Sequence, residues 1–412
     1  MIVYLSIGSN IEPKRENILN AIKLIREISE VKDVSSLYET EPWGTIKNQD
    51  NFYNIILKCE TNLEPEIFIK HLKEIEKKIG RVEGMKWGPR EIDIDIILYE
   101  DRIINRSDLT IPHKYFEERG FVVIPLYEID KIIVNPLNRN KISEIYEKVD
   151  KKGVKKIEDY SFKKDVYSEI NENLLKIEKL KISIYDELDS TQKYLMENFE
   201  LNKLVISKVQ KKGRGRKNNE WLSEKGGLYF SFSVEPIDYI YFLPILTSYS
   251  IGKVLKKIGF KEVKIKIPND VYLNNKKVCG VISESYFKGD KLLGEVIGVG
   301  LNVNQNVNDF PNEYLDRLTS LFIESKKFFF LDNIINLFFD EFKSNLDNLI
   351  KKDIKKILDE LTKDFKIFEE PFYVLINNKK EKVYGEKFID DRTIYVKKED
   401  KEGFEIPLHS IP

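Results

Sequence analysis

From about residue 137 to 180 the sequence is dense in charge and shows no clean hydrophobic periodicity until its last turns, as in "KVDKKGVKKIEDYSFKKDVYSEINENLLKIEKLK". A segment without an apolar face stays at the surface, so any core has to be built on either side of it. Its middle reads as a linker or a surface helix, with a domain boundary near residue 160. We therefore expect a first domain over 1–160, a charged linker over 161–181, a second domain over 182–362 and a small closing domain over 363–412. A chain of 412 residues has room for two or three domains, and 42% hydrophobic residues supply their cores.

Charge narrows the partners. Lys+Arg (68) nearly cancel Asp+Glu (69), whereas a chain that coats nucleic acid usually carries a clear positive excess. The two cysteines, Cys59 and Cys279, stand in unrelated contexts, which excludes a disulfide framework or a cysteine zinc site and fits a reducing cytosol. The start "MIVYLSIGSN" lacks the basic and apolar regions of a signal peptide. The longest apolar runs, "FVVIPLY" and "FFFLDNIINLFF", fall short of the ~20 residues that span a bilayer. A cytoplasmic protein with no membrane or nucleic-acid partner is expected.

Strand-like and helix-like segments interleave over 1–135, which predicts an α/β or α+β layer fold, and we expect α+β. "IVYLSIG", "NFYNIILKCET" and "IDIDIILY" read as strands. Lys14 to Glu30 and "PEIFIKHLKEIEKKIG" read as helices, the latter opened by Pro65 and closed by Gly80. After Ile182, strands are expected around "KLVISKVQ", "GGLYFSFSV", "VKIKIPNDVYL" and "KLLGEVIGVGLNVN", with hairpin turns at "LNNKKV" and "FKGDKLL". Residues 332–362 look helical, and the short strands beyond Phe365 suggest a small β-barrel.

Two places carry chemistry. In "GPREIDIDIILY", Asp93 and Asp95 sit two apart on a strand, so their carboxylates share one face while Ile92, Ile94 and Ile96 take the other. Such a pair suits Mg²⁺ and phosphate oxygens, although the alternation by itself is equally that of an exposed polar face. Arg81, Lys86, Arg90, His113 and Arg119 lie near it in sequence. The second place is "VQKKGRGRKNNEW", which by itself fits a nucleic-acid arm, a solvated loop or a loop over an anionic ligand. Asp189-Ser190-Thr191, upstream of it, offers a helix N-cap.

The ordered set "IGSN", "SSLYETEPWG", "NFYN", "WGPREIDIDIILY", "LTIPH" and "RGFVVIPLYEI" resembles the 6-hydroxymethyl-7,8-dihydropterin pyrophosphokinases of folate biosynthesis over about 1–135. That resemblance implies a ferredoxin-like domain that transfers pyrophosphate from ATP to a pterin, with Asp93 and Asp95 on Mg²⁺. It puts Arg81, Arg90, Glu76, Thr110, His113 and Arg119 at the triphosphate. Phe52 and Phe121 would sandwich the pterin, with Thr40, Pro42 and Asn54 at its edges. Two departures from the family pattern bear on closure over ATP: a short, weakly basic loop "VEGMK" and Asp108 where an arginine can stand.

The set "DSTQ", "GRGR", "GGLYFS", "KIPNDVYLNNKKVCG" and "GVGLNVN" is similar to biotin–protein ligases over 182 to about 310. This implies a class II synthetase-like domain, a terminal SH3-like β-barrel, and biotinylation of a carrier protein through biotinyl-AMP made from ATP. Lys277 would hold the reacting carboxylate and α-phosphate, and Arg216 with Arg214 would close over the adenylate. Ser190, Thr191 and Gln210 would bind biotin, Trp221 would line the site, and Asn269, Asp270 and Asn302 would assist near the nucleotide. "KNNEW" departs from the family, where a further Gly and Arg are frequent after "GRGR". The rival readings are a biotin-responsive DNA regulator, a silent N-terminal domain, and a metal-dependent nuclease resting on the paired aspartates alone.

Overall fold

The computed structural model describes residues 1–44, 48–82, 88–216, 219–376, 379–390, 392–399 and 402–411. It divides into two compact units, Met1–Leu174 and Leu175–Pro412.

The first unit opens with β1 (Ile2–Ser9), α1 (Lys14–Ile25), β2 (Glu30–Val34), β3 (Leu37–Thr40), β4 (Phe52–Glu60), α2 (Pro65–Ile79) and β5 (Asp93–Tyr99). A short ribbon, β6 (Ile104–Asn105) and β7 (Thr110–Ile111), leads to α3 (Gly120–Ile129), α4 (Ile142–Lys148), β8 (Val154–Glu158) and α5 (Tyr160–Ser168). The main sheet runs β5-β1-β4-β3-β8, with β2 also on β4, and every pairing is antiparallel. Alternation assigns its faces. Val3, Leu5, Ile7, Ile55, Leu57 and Ile94 are fully buried on the side of α1 and α2. On the other side, Tyr4 and Ile56 meet Val122, Val123 and Leu126 of α3 and Ile142 and Ile145 of α4. These helices cover only part of that face. The remainder, with Ser6, Gly8, Asn54, Asp93 and Asp95 in register across three strands, stays open.

The expected linker over 161–181 is a correction: the first unit continues to Leu174. β8 adds an edge strand to β3, and Phe162, Val166 and Tyr167 of α5 are buried. Short elements of this kind carry little periodicity of their own and are held by tertiary partners. Here the partner is Glu128 on α3. Its carboxylate accepts from Ser36 N (3.0 Å), Ser36 Oγ (2.7 Å), Tyr38 Oη (2.7 Å) and Lys163 Nζ (3.2 Å). Burial pushes its pKa up, but the bonds from Tyr38 and Ser36 and the Lys163 charge outweigh that and hold it at about 2. Glu128→Gln is expected to destabilise the first unit by on the order of 3 kcal/mol at pH 7. The contribution is complete above the ordinary value of 4.5 and fades as pH falls toward 2, so calorimetry should find parent and variant converging in acid.

The second unit contains β9 (Lys181–Leu188), α6 (Thr191–Glu197), β10 (Lys203–Arg214), β11 (Glu220–Ser223), β12 (Leu228–Val234) and α7 (Leu243–Lys257). Next come β13 (Val263–Lys266), β14 (Asp270–Leu273), β15 (Lys276–Lys288) and β16 (Lys291–Leu301), followed by α8 (Leu321–Ser325), α9 (Leu331–Ile350) and α10 (Lys355–Lys363). The sheet order is β11-β10-β12-β16-β15-β14-β13, with β9 parallel to β10. The expected hairpins are present: Asn274 and Asn275 take positive φ (48° and 65°) between β14 and β15, and Gly289 (φ 61°) turns β15 into β16. The helix expected over 332–362 is two helices, broken between Ile350 and Lys355.

The Phe/Ser alternation of "LYFSFSV" explains where this unit's cleft lies. Phe230 and Phe232 point to one face and meet Phe338 and Phe342 of α9, with ring centroids 5.0–5.9 Å apart. Ser231 therefore points to the other face, toward α6. The chain ends in β17 (Phe372–Ile376), β18 (Lys379–Phe388), β19 (Thr393–Lys397) and β20 (Gly403–Pro407), antiparallel neighbours in sequence order around Val374, Val383, Ile394 and Val396.

Candidate active sites

The open face of the first unit's sheet forms a cleft of about 900 Å³. Asp93 and Asp95 project into it from β5, with Ile92 and Ile94 fully buried, whereas Ile96, expected on the opposite face, also borders the cleft. The two carboxylates are unlike. Asp93 accepts one hydrogen bond on each oxygen: Oδ1 from Arg81 Nη1 (2.6 Å) and Oδ2 from Arg90 Nη1 (2.8 Å), which leaves a lone pair free on each. Burial opposes its ionisation, yet Arg90 and Arg81 hold its pKa below the ordinary value. Asp95 has its cation farther off, Arg119 at 3.7 Å, with the His113 ring at 4.0 Å. Burial first, and then the Asp93 charge, push it up to about 6. His113 is driven the other way, to about 4, by burial and the Arg119 charge, so its imidazole is neutral at pH 7.

The arginines are themselves positioned. Glu76, buried on α2, meets Arg81 and also accepts from Ile94 N (2.7 Å) and Lys73 Nζ (2.9 Å). Asn10 holds the Arg90 backbone N–H at 2.8 Å through Oδ1, and donates through Nδ2 to Gln49 and Asp50. Arg119 lies over the Trp43 ring at 4.6 Å and near Phe121 and Tyr115 at 5.6 and 5.9 Å. Asn54 Nδ2 donates to Thr40 Oγ1 (2.6 Å), and a Cβ on Gly8 would approach Asn54 Oδ1 to 2.6 Å, so Gly8 makes room for that amide.

Thr40, Phe52, Asn54, Arg81, Arg90, Asp93, Asp95, Thr110, His113, Arg119 and Phe121 all line this cleft. Two expected residues do not: Glu76 stands behind Arg81, and Pro42 is half-buried beside the lining. Lys86 and most of the 82–86 loop lie outside the described residues. Asp108 is bonded to Arg106 through both oxygens (3.0 and 2.9 Å), so a cation does stand near that rim, supplied from two residues upstream. Trp43, Tyr115, Asn10 and Lys73 were not singled out from the sequence.

The second unit has a cleft of about 370 Å³. At one end Gln210 Oε1 accepts from Thr191 N (2.8 Å) and Oγ1 (3.2 Å), and Gln210 Nε2 donates to Ser223 Oγ (2.8 Å). Thr191 Oγ1 also meets Ser231 Oγ at 2.9 Å. In the middle, the Trp221 ring lies against paired Gly280 and Gly300, where a Cβ would come within 2.9 and 2.4 Å of it. At the other end Lys277 Nζ pairs with Asp270 at 2.8 Å and lies 5.2 Å from the Trp221 ring centre. Arg216 Nη1 donates to Asn269 Oδ1 (3.0 Å), whose Nδ2 donates to Val281 O (2.7 Å).

Thr191, Gln210, Arg214, Arg216, Trp221, Asn269, Asp270 and Lys277 line this cleft. Ser190 and Asn302 do not. Ser190 caps α6, accepting from Lys193 N, and Asn302 is buried and donates to Thr319 O. Phe372, Tyr373 and Lys380 of the terminal sheet reach the cleft, as do Gln192 and Gly298, and none was singled out from the sequence. Cys279 is fully buried and burial pushes its thiol up, which fits the packing role expected of it.

Two separate clefts, one in each unit, mark a chain with two ligand-binding domains. Residues 4–131 match the sequence model of 7,8-dihydro-6-hydroxymethylpterin-pyrophosphokinase (HPPK), and residues 185–302 match that of the biotin/lipoate A/B protein ligase family. A 2-amino-4-hydroxy-6-hydroxymethyldihydropteridine pyrophosphokinase of Aquifex aeolicus (strain VF5) is 44% identical over 142 residues, covering 34% of this chain and 88% of that protein. A folic acid synthesis protein of Dictyostelium discoideum is 44% identical over 135 residues, 33% of this chain and 20% of that protein. Among solved structures, the biotin protein ligase from Aquifex aeolicus in complex with biotin and ATP shows 30% identity and a TM-score of 0.49, covering 55% of this chain and 95% of that one. The chain belongs to the hydroxymethylpterin pyrophosphokinase family through its first unit, and it is a fusion of that domain with a biotin/lipoate protein ligase domain.

Proposed function

We propose that the chain is a bifunctional enzyme. The first unit transfers pyrophosphate from ATP to 6-hydroxymethyl-7,8-dihydropterin, and the second uses ATP to biotinylate a lysine of a biotin carboxyl carrier protein through biotinyl-AMP. The observation that carries the reading is that each cleft brings together, facing one space, opposed charges suited to phosphate chemistry. In the first these are Asp93 and Asp95 facing Arg81, Arg90 and Arg119; in the second, Lys277 and Arg216 beside Asp270. On this reading the first unit is ferredoxin-like, and the second is class II synthetase-like with an SH3-like terminal domain. Two free, buried cysteines fit a cytoplasmic setting.

Magnesium fits the first cleft. Asp95 presents a carboxylate with Arg119 at 3.7 Å and the neutral His113 ring at 4.0 Å, next to an Asp93 whose oxygens each accept from one arginine. Asp93 and Asp95 would hold the ion, with phosphate oxygens completing its shell, since no cluster of three His, Cys, Asp or Glu ligands occurs among the described residues. Its chemistry is charge neutralisation on the transferred group. The chain's own residues orient the rest: Arg81, Arg90 and Arg119 bind the triphosphate with neutral His113 as a donor. Phe52 and Phe121 stack the pterin, and Thr40 and Asn54 read its edge. Positioning and electrostatics suffice for such a transfer without a protein nucleophile.

In the second cleft, Thr191 and Gln210 hold biotin while Lys277 meets its carboxylate and the α-phosphate. Arg216 covers the adenylate, and Asn269 and Asp270 stand at the nucleotide. The test is mass spectrometry after incubation with Mg-ATP and, in separate tubes, 6-hydroxymethyldihydropterin, biotin or lipoate. AMP with pterin and biotinyl-AMP with biotin support the proposal. Lipoyl-AMP in place of biotinyl-AMP overturns the biotin assignment, and no AMP with pterin makes the first domain a silent one.

A further inference from the structure

Glu284 closes the run "KKVCGVISE" and has no part in the roles above. It lies on the same side of β15 as Gly280 and Ile282, which line the second cleft. Its two oxygens are divided between two elements: Oε1 accepts from Arg214 Nη2 (3.3 Å), and Oε2 accepts from Gln192 Nε2 (2.9 Å). Gln192, in the first turn of α6, is 2% exposed and sends its other amide hydrogen to Val296 O (3.0 Å). With both hydrogens engaged, that amide has one orientation, and it fixes the Glu284 carboxylate.

The two arginines of the "GRGR" turn are therefore not equivalent. Arg214 meets a carboxylate, whereas Arg216 meets the neutral Asn269 amide and keeps its charge for a ligand. The backbone of this segment is also held by pairing with β11, Gly213 opposite Trp221 and Arg214 opposite Glu220. Further bonds run from Gly215 N to Asn219 O (2.7 Å), Asn219 N to Arg216 O (3.1 Å) and Lys212 N to Asp189 O (2.8 Å), so the Glu284 contact adds a side-chain tie to a backbone already paired. We propose that Glu284 is a positioning residue that anchors the 213–216 turn over the ligase cleft through Arg214, leaving Arg216 to hold the ligand. As far as it concerns the ligase reaction, the proposal rests on the biotinyl-AMP reading above.

The experiment uses the full chain and Glu284→Gln, which keeps the side-chain shape while removing the charge that Arg214 meets. Hydrogen exchange at the Gly215 amide is expected to speed about threefold, within the range of a single partly exposed ion pair. Biotinyl-AMP should form at the wild-type rate but escape from the protein about threefold faster. Glu284→Asp, which keeps the charge that Arg214 meets, should bring both values back toward the parent's, which a purely structural role would not. Unchanged exchange at Gly215 in a variant with the parent's melting temperature overturns the proposal. If the parent forms no biotinyl-AMP, the ligase reading fails while the exchange measurement still decides the anchor.

Discussion

Lys277→Ala is expected to lower biotinyl-AMP formation about a thousandfold while pterin turnover stays at its wild-type rate. Two charges must meet when a carboxylate attacks the α-phosphorus, and a fixed cation stabilises the negative charge that grows on the phosphoryl oxygens. Lys277 is placed for this at the end of the cleft, with its ammonium 2.8 Å from Asp270. Asp270 both orients it and opposes its charge, so the incoming anions compete for a cation already in position. The strand survives the truncation, because the backbone of Lys277 is clipped from both sides: its N–H donates to Arg317 O (2.8 Å) and its carbonyl accepts from Thr319 N (3.0 Å). Lys277→Arg keeps charge but not shape and should recover part of the rate. A loss of both activities by Lys277→Ala in a folded chain would overturn the independence of the two sites.

The parts of these sites that were legible in the sequence are those in which a local pattern has one structural meaning. Strict alternation in "EIDIDIILY" places both aspartates on one face, and Asn-Asn between strand-like runs turns a hairpin with positive φ. The serines of "LYFSFSV" carried the same signal, and reading them would have found Ser231 beside Thr191. What stayed hidden depends on contacts between distant segments. Trp43 becomes a neighbour of Arg119 only when segments far apart in sequence are brought together, and Phe372, Tyr373 and Lys380 reach the second cleft from a separate sheet. The misplaced linker has a related cause. α5 and β8 are too short and too charged to show a period, and Glu128 draws them in through lysines that read as surface charge. Ser190 and Asn302 lie off the lining for a simpler reason: their side chains are engaged by a helix cap and a backbone carbonyl.

Asp95→Asn is expected to reduce pyrophosphoryl transfer by at least a thousandfold and to leave biotinyl-AMP formation unchanged. Asn preserves the shape of the side chain and can still meet Arg119 and His113, so the loss measures charge. Asp93 alone is half of the carboxylate pair and already accepts from Arg81 and Arg90, so it does not replace the lost charge. The same variant should make the ligand-free first unit more stable, which separates a catalytic defect from a folding one. The sign follows from the direction of the shift. Burial and the Asp93 charge raise Asp95 from 3.8 to about 6, so its ionised form is disfavoured in the folded unit. Stability of the parent therefore falls as pH rises from about 4 to 6, and that deficit persists at pH 7. With the side chain 33% exposed, solvent screening reduces the penalty to on the order of 1–2 kcal/mol. Calorimetry without divalent cations should find the first unit of Asp95→Asn melting a few degrees higher at pH 7 and level with the parent near pH 4. A variant that is inactive but less stable would show that Asp95 is held by bonds worth more than its buried charge costs. The open carboxylate on which the metal assignment depends would then be wrong.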